Sequence, residues 1–341
     1  MSSSAMTPYP LEAGYAAPSH APPHTEPVFV SRSRRLWVAC AAALALVLFA
    51  AVAFHGFIAW RLAYPYVAPL QSNPLEAKSL AYEDIAFPSA SGATMVDGWY
   101  IPAADDSART VIFSHGYGAN REESWVPMYD LAELMHGLDY NVVMFDYGYA
   151  SASDKSPATG GREESQQLLS AIRYARSNGA DEVVIWGFSM GAGTALQTAL
   201  QTDLIDAMIL DSTFLPDPEA LFHNVTQLVS LPRFPSLQLL QALLPLWSGT
   251  GFGAIPYDRV LSTTYAIPIY MVHGTADSKA PLNTARLIAQ TQTHPLSGEW
   301  VVENGLHEML FRVHPDEYIS RVSHFLDQVH AQRLLALAAA S

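Results

Sequence analysis

A serine stands between two glycines in the stretch VVIWGFSMGAGTALQTAL (183–200), at the point where a β-rich run gives way to a helix-like one. A serine at the start of a helix often does no more than cap the free backbone amides. A sharp turn from a strand into a helix, however, exposes the hydroxyl at the edge of a sheet, where Ser189 is able to attack an acyl carbonyl. The rest of the chain must decide between a cap and a nucleophile.

A serine hydroxyl is a weak nucleophile unless a base accepts its proton, and the base needs a carboxylate to orient it. Asp277 comes just after an apolar run in YMVHGTADSKAP, and His307 comes just after the next one in WVVENGLHEM. The chain order Ser, Asp, His is the order that a nucleophile on a strand-to-helix corner requires. We therefore predict Ser189 as nucleophile, His307 as general base and Asp277 as the acid that orients it.

Two alternatives concern the acid. Asp277 is also well placed to cap the helix that follows it, because aspartate is a preferred capping residue. Asp211 in LDSTF follows another apolar strand and is the competing acid. Several other histidines are less suitable as the base, because they lie on predicted helices or their flanks and not just after a strand. These are His294, His314, His324 and His330.

Attack by a serine leaves negative charge on the carbonyl oxygen, which needs two preset backbone donors. One donor is expected to be the amide of Met190, the residue after the nucleophile. The other is expected in the loop HGYGAN, where Tyr117 stands between Gly116 and Gly118, residues that let the backbone approach a substrate closely. The alternative for this loop is a plain glycine turn.

The elements that must position these residues follow from hydrophobic patterning. From about residue 85, short β-branched or aromatic runs alternate with helix-like runs, among them TVIFSHG, NVVMFDY, EVVIWGFS and IPIYMVHG. Strands that are apolar almost throughout predict an α/β fold, with a mostly parallel sheet of about eight strands covered on both faces. Residues 215–262 interrupt the alternation and are too many for a loop, so they are expected to form a helical cap or a longer crossover helix.

Five motifs in this order resemble the α/β-hydrolase superfamily over Tyr82 to His330: SHGYGAN, FDYGYASAS, GFSMGAG, HGTADSKAP and GLHEM. The chain is most similar to membrane-anchored serine hydrolases near the monoacylglycerol lipase and serine aminopeptidase branch. That resemblance implies cleavage of an ester, thioester or amide bond through an acyl-enzyme. FDYGYASAS departs from the commoner Asp-Tyr-Arg-Gly-Tyr-Gly pattern, because it lacks the arginine and one glycine.

The chain before this domain contains a candidate membrane span. Residues 36–60 carry no Asp, Glu, Lys or Arg, and as a helix they measure about 37 Å, enough to cross a hydrocarbon core of about 30 Å. We expect residues 1–35 to be a disordered tail, 36–60 to be a transmembrane helix, 61–84 to be a connector and 85–341 to be the hydrolase domain. A cleaved signal peptide is the alternative, with Ala51-Val52-Ala53 as the cleavage site.

Charge asymmetry predicts the orientation of that helix. Arg32, Arg34 and Arg35 precede the apolar run, whereas Arg61 alone closely follows it. Positive residues favour the cytoplasmic side, so the N-terminus is expected in the cytoplasm and the hydrolase domain on the other side of the membrane.

The composition of the chain argues against some classes of partner and cofactor. The formal net charge of the 341-residue chain is -14, with no basic stripe after residue 35, which argues against nucleic acid as a partner. The one cysteine, Cys40, excludes an intramolecular disulfide, and neither metal nor organic cofactor is expected. The predicted function is hydrolysis of an apolar acyl substrate, lipid or small molecule. Acyl transfer by the same triad and a non-catalytic, membrane-bound binding module are the alternatives.

Overall fold

The computed structural model describes residues 32–340, which contain an eight-stranded sheet with helices on both faces. The strands are β1 (Glu83–Pro88), β2 (Met95–Ile101), β3 (Arg109–Ser114), β4 (Asn141–Phe145), β5 (Glu182–Phe188), β6 (Ala207–Asp211), β7 (Ile269–Gly274) and β8 (Gly298–Val302). The longer helices are α1 (Arg32–Ala63), α3 (Met128–Gly137), α4 (Arg162–Ser177), α5 (Met190–Ala199), α7 (Arg233–Ser248), α9 (Leu282–Thr291) and α11 (Pro315–Ala340). The short helices are α2 (Pro74–Lys78), α6 (Pro218–Thr226), α8 (Tyr257–Ser262) and α10 (Leu310–Val313).

The strands lie in the order β1-β2-β4-β3-β5-β6-β7-β8. The first two pairings, β1 with β2 and β2 with β4, are antiparallel, and every pairing from β4 to β8 is parallel. All residues of β4, β5 and β6 are buried, as expected of central strands whose two faces are both covered. The predicted fold class, a mostly parallel sheet of about eight strands, is confirmed.

Side-chain alternation along β5 fixes its position between two hydrophobic cores. Val183 and Ile185 face the core that contains α4, α5 and α9. Val184 and Trp186 face the opposite core, which contains α3 and α11. A shift of one residue would exchange these two sets, so burial on both faces fixes the strand register and places Ser189 at the carboxyl end of the sheet.

Residues 215–262 contain α6, α7, a 3-10 helix (Phe252–Ala254) and α8. Helix α6 begins where its sequence indicates, because the carboxylate of Asp217 accepts hydrogen bonds from the amides of Glu219 and Ala220 and Pro218 occupies the first turn. The apolar sides of α6 and α7 pack together with the C-terminal part of α1. This insertion is therefore helical and has a small core of its own.

The N-terminal helix differs in its ends from the predicted span of residues 36–60. Helix α1 begins at Arg32 and ends at Ala63, because arginine is a good helix former and the backbone hydrogen bonds continue past the apolar run. Residues 32–35 are thus helical and do not belong to the predicted tail. Residues 1–31 of that tail lie outside the described part of the chain. By its length and by the mean hydropathy of 2.6 in its most apolar 18-residue window, α1 is able to cross a membrane.

The predicted connector, residues 61–84, is also partly helical. It contains the last turn of α1 and the whole of α2. Asn73 and Pro74 start α2, since the Asn73 side chain accepts a hydrogen bond from the amide of Glu76 (2.9 Å). Strand β1 then begins at Glu83, two residues before the predicted start of the domain.

Candidate active site

The backbone turns sharply at Ser189, between the end of β5 and the start of α5. Ser189 has φ 47° and ψ -115°, a conformation that costs a non-glycine residue about 1–3 kcal/mol. The turn is held from both sides, because the amide of Ser189 donates to the carbonyl of Asp211 (2.9 Å) and its carbonyl accepts from the amide of Phe214 (3.0 Å). The surrounding backbone therefore maintains the strained conformation.

The two flanking glycines are required by close contacts at this turn. A Cβ atom on Gly187 would lie 2.6 Å from the Cα of Ala192, and one on Gly191 would lie 1.9 Å from the carbonyl oxygen of Ser114. Backbone atoms cannot move aside as the end of a side chain can. The glycines on either side of the serine are thus a steric consequence of the turn.

The structure brings together the three residues predicted as the triad. The Nε2 atom of His307 lies 2.9 Å from Oγ of Ser189, and its Nδ1 atom lies 2.7 Å from Oδ2 of Asp277. With the Nδ1 proton donated to Asp277, Nε2 has a free lone pair that faces the serine hydroxyl. This arrangement is suited to removing the proton of Ser189 as its oxygen attacks a substrate.

Asp277 contacts the predicted base and does not cap the following helix, whose N-cap is Pro281. Its Oδ2 atom contacts His307, while its Oδ1 atom accepts from the amides of Lys279 (2.9 Å) and Ala280 (2.8 Å). These bonds cap the turn after β7 and leave α9 to begin later, at Leu282. Burial opposes ionisation of Asp277, but the hydrogen bond and charge of His307 outweigh it and lower the pKa of the carboxyl.

Asp211 has other partners. Its carboxylate accepts hydrogen bonds from the hydroxyls of Tyr318 (2.7 Å) and Ser212 (2.8 Å). Burial raises the pKa of this carboxyl to about 7. The hydrogen bond from His307 goes to Asp277, so the geometry favours Asp277 as the orienting acid.

Charges around His307 set its basicity. Burial lowers the pKa of the imidazole, but the hydrogen bond to Asp277 and the charges of Glu308 and Asp277 outweigh burial and raise it above its ordinary value of 6.5. A second histidine, His273, lies 3.5 Å from Oδ2 of Asp277. Burial lowers the pKa of His273, so His307 is the more basic of the two.

Tyr117 and Met190, the predicted oxyanion donors, line the same cavity as Ser189 and His307. The side chain of Tyr117 fixes one end of the loop that carries it, because its hydroxyl donates to the carbonyl of Leu62 (2.7 Å). Gly118 has φ 78°, which explains the glycine after Tyr117. The structure therefore brings both predicted donor residues to the nucleophile.

Buried polar contacts hold the other end of this loop. The guanidinium of Arg121 pairs with Asp146 at the end of β4 (2.7 Å), and the Arg121 amide donates to the same carboxylate (2.8 Å). The hydroxyl of Tyr149 donates to the carbonyl of Gly116 (2.9 Å). Asp146 and Tyr149 belong to the segment FDYGYASAS, so this segment supports the oxyanion loop although it departs from the commoner pattern.

Sequence reasoning missed three residues beside the triad: Glu123, Trp125 and Glu308. The Oε2 atom of Glu308 lies 3.6 Å from Nε2 of His307 and accepts from the indole of Trp125 (2.6 Å). Glu123 accepts from the amide of Gly116 (2.9 Å). The signal for Glu308 is its place directly after His307, but the contact between two glutamates so distant along the chain has no signal in one sequence.

A cavity of about 350 Å³ opens at the serine. Its walls are mostly apolar, and they include Leu62 of α1, Phe214 after β6, and Leu221, Val225, Leu244 and Phe252 of the insertion. Within residues 32–340, no group of three His, Cys, Asp or Glu side chains is arranged to hold a metal ion. The arrangement can bind an apolar chain next to an activated hydroxyl.

Comparisons with known proteins agree with the observed fold. A family model for the alpha/beta hydrolase fold matches residues 109–245. The esterase Pf2001 of Pyrococcus furiosus has a similar structure, with a TM-score of 0.64 at 20% identity over 79% of this chain and 98% of that one. The chain has the α/β-hydrolase fold. The match to this family model supports hydrolysis as the class of reaction.

Two curated relatives of this chain are uncharacterized bacterial proteins. YfhR of Escherichia coli (strain K12) is 26% identical over 242 residues, which cover 67% of this chain and 75% of the relative. YqkD of Bacillus subtilis (strain 168) is 26% identical over 247 residues, which cover 71% of this chain and 78% of the relative. Both alignments cover about three quarters of the relative.

The two acids are distinguished by isosteric substitution. Asp277→Asn is expected to lower kcat for a short p-nitrophenyl ester by about 10⁴-fold, because an amide no longer fixes the tautomer of His307. Asp211→Asn keeps an acceptor for Tyr318 and is expected to lose less than about 10-fold. Circular dichroism checks that both variants are folded. A larger loss for the Asp211 variant would contradict the assignment of Asp277.

The pH profile tests the basicity of His307. The imidazole acts as a base only when neutral, and its pKa is raised, so kcat/KM is expected to fall as the pH decreases through a value above 6.5. A pH-stat records the acid released from a short ester at each pH, so the profile does not depend on the colour of a leaving group. An inflection below 6.5 would contradict the raised pKa.

Proposed function

We propose that the chain is a serine hydrolase that cleaves an ester, thioester or amide bond of an apolar acyl substrate through an acyl-enzyme intermediate. The observation that carries this proposal is the continuous set of hydrogen bonds from Asp277 through His307 to Ser189, which ends at an apolar cavity. The esterase Pf2001, which shares the fold, is consistent with the same class of reaction.

In the first half of the proposed reaction, Oγ of Ser189 bonds to the carbonyl carbon while its proton passes to Nε2 of His307. The amides of Met190 and Tyr117 donate to the carbonyl oxygen as it becomes negative. His307 then gives its proton to the leaving oxygen, sulfur or nitrogen as the bond to the acyl carbon breaks. In the second half, water attacks the acyl-enzyme, His307 takes the proton of the water, and the same proton returns to Ser189 as the acid leaves.

The apolar walls of the cavity support an apolar acyl group. Each methylene buried there contributes about 0.8 kcal/mol, so kcat/KM is expected to increase with the acyl chain of a p-nitrophenyl ester until the cavity is filled. Leu221 lies in the wall. Leu221→Trp should move the preferred ester to a shorter chain, and an unchanged preference would argue against this cavity as the acyl site.

Removal of the nucleophile tests the reaction itself. Ser189→Ala is expected to abolish both ester turnover and covalent labelling by a fluorophosphonate, because it removes only the attacking oxygen. Circular dichroism of the full chain in detergent serves as the check on folding. Labelling that persists in the folded variant would place the nucleophile elsewhere and end this proposal.

We further propose that α1 anchors the enzyme in a membrane, with the N-terminus in the cytoplasm and the hydrolase domain on the opposite side. The support is the length and hydropathy of α1 and the excess of arginines before its apolar run. The same helix ends in contact with the enzyme, since Ala59 is buried with residues of α6 and α7 and the carbonyl of Ala63 accepts from the amide of Ala158 (2.7 Å).

Protease protection tests this topology. In sealed vesicles, protease added on the extracytoplasmic side is expected to digest the hydrolase domain, whereas protease on the cytoplasmic side should remove only N-terminal residues. Digestion of the domain from the cytoplasmic side alone would reverse the orientation. The intact mass of the membrane-bound enzyme separates a retained anchor from a cleaved signal peptide.

A further inference from the structure

We propose that Glu123 and Glu308 share one proton, and that this acid pair is a positioning device for the oxyanion loop and for His307. The inference rests on the proposed function for its effect on activity. The proton-sharing itself rests on contacts among buried side chains and is tested separately from catalysis.

Each glutamate uses one carboxyl oxygen to hold a part of the active site. Oε1 of Glu123 accepts from the amide of Gly116 (2.9 Å), directly before the predicted oxyanion donor Tyr117. Oε2 of Glu308 accepts from the indole of Trp125 (2.6 Å) and lies 3.6 Å from Nε2 of His307. The pair thus links the oxyanion loop to the general base.

The remaining oxygen of each carboxyl, Oε2 of Glu123 and Oε1 of Glu308, is buried and has no hydrogen-bond donor among the described residues. Each carboxyl lies close enough to act on the pKa of the other. Both also approach Gly116, where an added Cβ atom would lie 2.5 Å from a Glu123 oxygen and 2.6 Å from a Glu308 oxygen. One proton between the carboxyls satisfies both unpartnered oxygens at once.

Electrostatics requires the same proton. Glu123 is 1% exposed and Glu308 is 5% exposed, and two ionised carboxylates in contact at such burial repel each other strongly. Burial and then the charge of Glu308 raise the pKa of Glu123 well above its usual range. Burial also raises the pKa of Glu308, while His307 favours its ionised form. The proton therefore resides on Glu123 and is donated to an ionised Glu308, with the titration belonging to the pair.

Some charged groups around the pair favour ionisation of its carboxyls, and others oppose it. His307 and Lys279 favour an ionised Glu308, and Asp211 opposes ionisation of Glu123. Asp211 is also connected to the pair through hydrogen bonds, since the amide of Glu308 donates to the hydroxyl of Ser212 (2.9 Å), which donates to Asp211 (2.8 Å). Tyr318 donates to the other oxygen of Asp211.

Loss of the shared proton has a defined consequence. The two carboxylates then repel each other, and the amide of Gly116 moves with Glu123, so Tyr117 loses its position at the substrate oxygen. Activity is therefore expected to fall again at alkaline pH, in addition to its fall at acid pH, where His307 is protonated.

The decisive variant is Glu123→Gln, because its amide group replaces the protonated carboxyl without a proton to lose. Its carbonyl accepts from Gly116 and its NH2 group donates to Glu308. The alkaline fall in kcat is expected to disappear or move to higher pH. Glu123→Ala leaves Gly116 and Glu308 without a partner and is expected to lose about 100-fold in kcat with a smaller change in KM. Rescue by Gln but not by Ala distinguishes positioning from bulk packing.

Glu122→Gln is the matched control, because Glu122 is next to Glu123 in the chain but has other partners. Its carboxylate accepts from the amides of Gln71 and Ser72 and from the hydroxyl of Tyr129. It should keep the wild-type alkaline limb. A Glu308→Gln variant is expected to move the acid limb to lower pH, because it removes a charge that raises the pKa of His307. An alkaline limb that is absent from the wild type, or identical in wild type and Glu123→Gln, would overturn the proposal.

Infrared spectroscopy tests the proton without any turnover. At neutral pH, the difference spectrum between the wild-type chain and Glu123→Gln is expected to contain the C=O stretch of a protonated carboxyl, and the difference against Glu122→Gln is not. The absence of that band from the first difference would refute proton-sharing even in an active enzyme. Failure of Ser189 labelling together with a present band would instead refute the proposed reaction and leave the acid pair in place.

Discussion

The left-handed backbone conformation of Ser189 is the constraint on which the rest of the site depends. A non-glycine residue at φ 47° is strained, and the structure maintains it by backbone hydrogen bonds to β6 and to the segment after β6. The same turn admits no side chain at Gly191, because the end of β3 lies directly against it. Ser189 and the start of the loop that carries Tyr117 are therefore fixed relative to each other by backbone contact.

The parallel strands bring three candidate site residues together at one edge of the sheet. The carboxyl ends of β5, β7 and β8 lie at one edge of the sheet, and the residues that follow them supply Ser189, Asp277 and His307. The strands are held in register by two apolar cores, one on each face. Burial of those cores supplies the stability that offsets the strain of about 1–3 kcal/mol at the serine.

Local patterns in the sequence are sufficient to predict the sheet and the candidate site residues that follow its strands. Apolar runs identify buried strands, and each member of the triad follows one of them, so their convergence could be predicted without coordinates. The approach of Glu123 and Glu308 to the same residue, Gly116, could not, because it depends on how loops distant in sequence pack against each other. The same is true of Leu62, whose position in the cavity wall depends on where α1 meets the insertion.

The central claim is that the hydroxyl at the strained turn is the reacting group and that His307 activates it. The most direct measurement is mass-spectrometric mapping of the chain after brief exposure to a fluorophosphonate at several pH values. A single adduct is expected on the peptide that contains Ser189, formed more slowly as the pH decreases through the raised pKa of His307. An adduct on another residue, or labelling of Ser189 at a rate independent of pH, would contradict this claim.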